Sequence, residues 1–355
     1  MRRRDMSRQQ PKFLTIIGAG LAGAACANTF ANKGYNVVVH EQAVRFAHGA
    51  SGVPIAMFAP SISSDDAPYS RLLRSGVNLL LQELHRLTQV GFLTEGVDWG
   101  MTGVLERCIR GEKRLPSTWL APQDPFGLQS RATKGAYPIR LARHPPELFH
   151  GAAGWVNPTR LIAAWLSHPH IQVQTGSRMV DIQNLDADVI VVASGYETPE
   201  LVPSLKAQLQ PIRGQVEWGA PPARAGFVEA LPVYPVNGMG HFIQTPSAWL
   251  AGATFQRDET DLAPRAKDVE LNFEKLGTLM PELEKPYLVK LQEQSASWVG
   301  VRTAQKNRQP FVRKIDNSNH SNTWVLTGLG ARGLSLAALC ASRLLASVQR
   351  GLALS

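Results

Sequence analysis

Residues 13–41 read FLTIIGAGLAGAACANTFANKGYNVVVHE, and this stretch decides the fold. Phe13 to Ile17 is a short apolar run that reads as a buried strand. Gly18, Gly20 and Gly23 follow in Gly-x-Gly-x-x-Gly order, with Ala19, Leu21 and Ala22 between them. Ala24 to Asn32 continues as a helix closed by Gly34, and Val37 to Val39 makes a second strand. Glu41 stands at its end, 23 residues after Gly18. Each part has a physical role at a dinucleotide. The first glycine allows a tight turn, the second lets backbone approach a pyrophosphate, and the third lets helix pack on strand. The helix N-terminus offers free N–H groups and a positive dipole end to phosphate. Glu41 can accept from ribose hydroxyls. The plainer alternative is a glycine-rich helix start with no ligand. Strand, glycines, helix, strand and acid in sequence outweigh it.

Working outward, HGASGVPIAMFAP at 48–60 has neither helical nor strand period and is expected to lie against the nucleotide. From Leu73 the apolar residues Val77, Leu80, Leu84 and Leu87 step by four, three, four and three, an amphipathic core helix. Residues 91–150 are a mixture of short apolar runs, glycine and proline, read as strand and loop. Asn157 and Pro158 form a helix start, with Leu161, Ile162, Trp165 and Leu166 as its apolar face. His168 and His170 at its end are expected to be solvated or to face the helix dipole rather than to be metal ligands. ADVIVVASG at 187–195 has the continuous apolar run of a strand covered on both faces, and its small residues Ala193, Ser194 and Gly195 let a nucleotide press close. Short strands with turns fill 210–265, and 267–294 is helical with breaks at Pro281 and Pro286. Trp324 to Thr327, then GLGARG, then Leu334 to Gln349 repeat the strand–glycine–helix plan of the N-terminus.

At 355 residues the chain is long enough for two lobes. Lys and Arg exceed Asp and Glu by 37 to 28, a net charge of +9. That balance fits an acidic partner such as RNA or a membrane surface, or simply a basic surface. Cys26, Cys108 and Cys340 have no metal-ligand spacing and make no even disulfide set, so a reducing cytoplasm is expected. Arg2 to Arg4 ahead of an apolar run imitates a secretory signal, but cleavage there would remove the glycine fingerprint. No membrane span is expected, and the protein should be soluble.

NAD and FAD both use the first motif. The sheet strands return only at 189–193 and 324–327, after large insertions, and that split order is the FAD arrangement. The chain resembles the amino-acid-oxidase-like FAD family, and within it the branch acting on the tRNA wobble uridine. The resemblance runs from Phe13 onward through Ala50-Ser51-Gly52, GWVNPTRLI (154–162) and ADVIVVASG. It continues through Arg213-Gly214-Gln215, GATFQRDETD (252–261), VRTAQKNRQPFV (301–312) and GLGARGLSLAALCA (328–341). It implies an α/β (α+β overall) fold of glycine-oxidase type, a Rossmann-like FAD-binding domain with an inserted antiparallel-sheet substrate domain. The expected boundaries are a disordered basic tail at 1–12, FAD binding by 13–75, 150–205 and 320–355, and substrate binding by 76–149 and 206–319.

The resemblance also implies oxidation of a carboxymethylaminomethyl group on the wobble uridine, with release of glyoxylate and reoxidation by oxygen. No protein base is expected, because the amine need only be neutral. Arg302 and Arg332 match positions where glycine-oxidase-like relatives carry arginines beside the substrate, with ordinary surface arginines as the alternative. Gly328, Gly330, Ala331, Gly333 and Leu334 would face the flavin's pyrimidine end. The methyltransferase domain that accompanies this oxidase has no counterpart in the sequence, so a separate methyltransferase is the expected partner. Val53, Pro54, Ile55 and Ala56 stand where the family usually has polar and glycine residues. A small-molecule glycine, sarcosine or D-amino-acid oxidase indifferent to RNA is the competing reading, and a flavoprotein without activity a third.

Overall fold

The computed structural model describes residues 12–63, 65–107, 130–133, 147–183, 185–221, 231–315 and 322–352. The basic tail up to residue 11, and Cys108, lie outside them. A six-stranded sheet runs in the order Phe311–Ile315, Thr323–Thr327, Val189–Val192, Phe13–Ile17, Asn36–Glu41, Ile171–Thr175. All its pairings are parallel except Phe311–Ile315 on Thr323–Thr327. Val189–Val192 is buried at every residue because both faces of the sheet are covered, which is why its sequence shows no alternation. On one face lie the helices Leu21–Ala31, Pro68–Gln89, Pro158–Leu166 and Gly333–Leu352, joined in one core with Leu14, Ile16, Val37 and Val39. On the other, Ile17, Ile190, Val192 and Val325 pack with Ile182, Val202 and Leu205.

The helix ends follow local chemistry. Asn157 accepts from the Arg160 N–H at 3.2 Å with Pro158 at the first helical position. His170 Nδ1 lies 3.0 Å from Asn36 Oδ1 at the rim of the sheet. Among the described residues no group of His, Cys, Asp and Glu could hold a metal. Burial pushes the Cys340 thiol up to about 12, and Cys26 is pushed up the same way, so both behave as small core residues. Of the described helices, one segment, Gly330–Gly351, is long and apolar enough to cross a membrane. Leu336, Ala337, Ala341 and Leu344 are fully buried against the other helices, which makes it a core helix.

A nine-stranded sheet, mostly antiparallel, forms the second layer system. Its spine is Leu209–Gly219 paired with Ala296–Gln305 from Leu209↔Gln305 to Trp218↔Ala296. Ala266–Leu279 and Lys285–Glu293 cover one face with Phe273, Leu276 and Leu291 against Phe242 and Trp249. Ile243, Leu250 and Val216 on the other face meet Trp155 of a small three-stranded sheet and Ile55, which precedes its strand Ala56–Phe58. Arg107, almost fully buried, ties sheet to helix through Glu147 at 2.8 Å, Glu282 at 2.9 Å and the Leu279 carbonyl. The expected boundary at 75/76 falls inside Pro68–Gln89, whose apolar face continues into the nucleotide-side core as far as Leu87. Phe311–Ile315 likewise pairs in the six-stranded sheet, although it falls in the segment expected for substrate binding.

Candidate active site

The first strand delivers the chain into a turn at Gly18, where φ is +103° and an added Cβ would lie 2.6 Å from the Ala193 carbonyl oxygen. Gly23 faces Gly18 so closely that its Cβ would lie 1.9 Å from the Gly18 oxygen. Only glycine permits that turn and that contact. Glu41 is buried and closes the loop: Oε2 accepts from the Ala19 N–H at 2.9 Å and Oε1 from the Ala43 N–H at 3.0 Å. Ser51 Oγ accepts from the Leu21 N–H at 2.9 Å, binding the short Ala50–Gly52 turn to the helix start.

These pieces wall a cavity of about 580 Å³ between the two sheets. Gly18, Gly20, Leu21, Ala22 and Glu41 line it, as do Ala50, Ser51, Ala193, Ser194 and Gly195. Gly328, Gly330, Ala331, Arg332, Gly333 and Leu334 line it too, Gly333 close against Leu21. Ala19, Gly23 and Gly52 do not; they shape the turn from behind, and a Cβ at Gly52 would strike the Ala47 oxygen at 2.3 Å. Val53, Ile55, Ala56 and Met57 make an apolar wall, Ile55 anchored in the core. The lining fits FAD. At Gly20 a Cβ would fill the space to 2.9 Å from Ser51 Oγ, so the helix start stays bare for phosphate. Gly195, Gly328 and Gly330 hold positive φ of +60°, +73° and +55°, bringing backbone to the cavity in two further loops.

At the other end stands Arg302, on Ala296–Gln305. Its Nη2 donates to the Thr254 carbonyl at 3.2 Å, and its guanidinium lies 5.3 Å from the centroid of the Phe255 ring. Among the described residues no carboxylate forms an ion pair with it, and burial alone pulls its pKa down. Close by, Lys275 donates to the Ala253 carbonyl at 3.0 Å; burial lowers its pKa, partly offset by Asp268 and Glu274. His241 lines the same cavity and is pushed down to about 4 by burial, then by Arg302 and Lys275. A guanidinium and an ammonium therefore meet around a neutral imidazole, an arrangement that attracts an anion. Arg332 sits exposed at the rim, its N–H bonded to Leu329 O at 3.0 Å. Burial raises the Tyr69 phenol pKa against the opposing pull of Arg332 and Arg308.

His241, Lys275, Thr254 and Phe255 were not among the residues expected from sequence. His241 and Lys275 carry no spacing signal. Thr254 and Phe255 lie in the quoted GATFQRDETD segment, where no role was assigned to them.

The split parallel sheet, the glycine cradle and the anion-attracting end together define a flavin-dependent oxidoreductase. The chain belongs to the FAD dependent oxidoreductase family, whose model matches residues 14–347. It is 36% identical over 373 residues to the "tRNA 5-methylaminomethyl-2-thiouridine biosynthesis bifunctional protein MnmC" of Polaromonas naphthalenivorans (strain CJ2), covering 96% of this chain and 57% of that protein. It is 40% identical, over the same shares, to the protein of that name from Polaromonas sp. (strain JS666 / ATCC BAA-500). The chain thus spans somewhat over half the length of these relatives. Among solved structures, glycine oxidase from Bacillus cereus ATCC 14579 superposes with a TM-score of 0.74 at 15% identity, covering 96% of this chain and 95% of that one. Iminodiacetate oxidase from Chelativorans sp. BNC1 gives 0.72 at 21% identity, covering 95% of each. These two likenesses establish the fold, α/β with parallel and antiparallel sheets.

Proposed function

We propose that this enzyme oxidises the carboxymethylaminomethyl group of a tRNA wobble uridine at its secondary amine. The methylene carbon next to the carboxylate loses C–H, an imine forms to nitrogen, and water then releases glyoxylate and leaves aminomethyl uridine. FAD, when bound, would supply the acceptor for the hydride, which carries both electrons. The observation that carries the reading is Arg302, a half-buried guanidinium without a carboxylate partner among the described residues, facing the cavity beside His241. It receives the substrate carboxylate through paired N–H donors. Positive charge from Arg302 and Lys275 disfavours an ammonium at the same place, so the secondary amine binds neutral, its reactive form. His241, itself neutral, can accept the amine N–H and aim the nitrogen lone pair. Arg332 at the rim is assigned to the nucleotide side of the substrate.

The tRNA part of the proposal draws on the names of the relatives, and the net charge of +9 suits phosphate contacts. Action on tRNA puts the enzyme in the cytoplasm. Its product, a primary aminomethyl group, calls for a methyltransferase as the next catalyst. The domain division proposed is an FAD-binding part around the six-stranded sheet and a substrate part around the nine-stranded one.

The test is anaerobic bleaching of the yellow holoprotein. Transfer RNA bearing carboxymethylaminomethyl uridine should abolish the visible flavin absorption rapidly, while glycine, sarcosine and D-amino acids leave it in place. Bleaching by a free amino acid with the tRNA inert would make this a small-molecule amine oxidase instead.

A further inference from the structure

Two sequence features, Arg213-Gly214-Gln215 and the segment Gly252–Asp261, have no part in the flavin cradle. The structure joins them. Arg213, fully buried, donates to the Asp261 carbonyl at 2.6 Å, the Ala263 carbonyl at 2.6 Å and Gln256 Oε1 at 2.8 Å. Gln215 receives the Arg265 N–H at 2.9 Å and donates to the Arg265 carbonyl at 3.1 Å. Thr254 is held from both ends, its N–H on the Gln215 carbonyl at 3.0 Å and its Oγ1 under the Gln215 N–H at 2.9 Å. The loop from Thr254 to Arg265 is therefore fastened from beneath by a buried polar network. Yet on its outer side it presents Phe255, 53% exposed, and Leu262, 48% exposed, and both line the cavity.

An aromatic ring left in water on a mobile loop needs no explanation. One held out by a fully buried arginine at the cavity rim is preorganised for contact. Its neighbours say with what. Arg302 stands 5.3 Å from the ring centroid on the side of the carboxylate site, and the exposed Arg257 guanidinium stands 5.8 Å from it. Phe255, exposed and lining the same cavity beside Arg302, is within reach of whatever follows a carboxylate held there. An aromatic face beside a guanidinium is what receives an unstacked nucleobase, because either planar group stacks on it.

We propose that Phe255, with Arg257 beside it, is the platform on which the uracil ring of the extruded wobble nucleotide stacks while its carboxymethylamino arm reaches Arg302. This rests on the tRNA reading above and adds to it the way the base is held. It also makes the loop selective: a free amino acid fills the Arg302 end and leaves the platform unused.

The experiment measures anaerobic flavin reduction of the holoenzyme by two probes, an anticodon stem-loop carrying carboxymethylaminomethyl uridine and free iminodiacetate. Phe255→Ala should raise the apparent Kd for the stem-loop about tenfold or more, the effect falling on Kd rather than on the limiting rate. Phe255→Trp should restore binding and Phe255→Leu should not, since only a flat ring stacks. An equal loss with both probes, or rescue by leucine as good as by tryptophan, would assign Phe255 to packing against Arg302 and overturn the platform. A wild-type flavin reduced by iminodiacetate but not by the stem-loop would overturn the tRNA reading itself, and the platform with it. Reduction of wild type and Phe255→Ala by the stem-loop with the same Kd would overturn the platform alone.

Discussion

Arg213 and Arg302 stand one residue apart in register on paired strands, Ile212 facing Arg302 and Arg213 facing Val301, and they do opposite things. Side chains alternate across a sheet, so Arg302 points to the cavity and Arg213 to the face covered by Ala266–Leu279. Arg213 has spent its donors on Asp268 at 2.5 Å, Gln256, Gln215 and two carbonyls. Arg302 has a backbone carbonyl and an aromatic ring. Both guanidiniums have lost water, Arg213 all of it and Arg302 part. The first recovered it from the protein, which makes it part of the framework. The second recovers it only when an anion arrives, which makes it a binding site. The tally of satisfied donors, more than the difference in burial, separates the two cases.

The sharpest way to break this contrast is Arg302→Ala. It should slow flavin reduction by the carboxymethylamine substrate about a thousandfold, roughly 4 kcal/mol of lost stabilisation. Arg302→Lys should recover only part of that, for lysine lacks the paired donors. FAD content and thermal stability should hold, since among the described residues the Arg302 side chain makes one hydrogen bond, to the Thr254 carbonyl, and no ion pair. A rate within about threefold of wild type would sink the carboxylate role. Arg213→Met should show the reverse profile. Asp268 would be left buried and unpaired, costing about 3 kcal/mol in denaturant unfolding. Asp268→Asn in the same background should return part of it by removing the stranded charge. If Arg213→Met unfolds at the wild-type denaturant midpoint, the network is not the framework claimed for it.

The contrast was only half legible in the sequence. Strand, Gly18, helix, second strand and Glu41 each carry a local signature, and so do the Asn157 cap and the VIVV strand, so the nucleotide half follows from short-range rules. Arg302 and Arg332 came through resemblance, since neither period nor spacing marks them. His241 could not have been reached at all. Its place beside Arg302 depends on a chain of strand registers, Ala296–Gln305 to Leu209–Gly219 to Trp249–Gly252 to Gly240–Gln244. A slip of one residue in any of these would turn it to the other face. The boundary placed at 75/76 fell inside a helix for the opposite reason. The apolar period from Leu73 to Leu87 was read correctly, but which core it faces depends on Gly333–Leu352, far along the chain.

The smallest expected effect concerns the imidazole between the cations. His241 titrates near 4 in the folded protein, against an ordinary 6.5, because burial and then Arg302 and Lys275 oppose its protonation. Well above pH 6.5 it is neutral whether the chain is folded or not, and it costs nothing. As pH falls below 6.5 the unfolded chain takes up a proton that the folded protein refuses until about 4, so stability is lost across that window. His241→Asn removes this proton uptake. The variant's Tm should therefore fall less steeply than wild type between those limits, by about 1–3 °C in all, given the exposure of the group and the length of the chain. Two parallel curves would mean that His241 titrates normally. An anion at Arg302 offers the complementary check. Binding of a carboxylate there cancels one of the opposing charges, so the imidazole pKa should move upward with ligand in wild type, and much less in Arg302→Ala. Histidine NMR titration reads that shift directly, and a ligand-independent pKa would separate His241 from the anion site that the contrast between the two arginines defines.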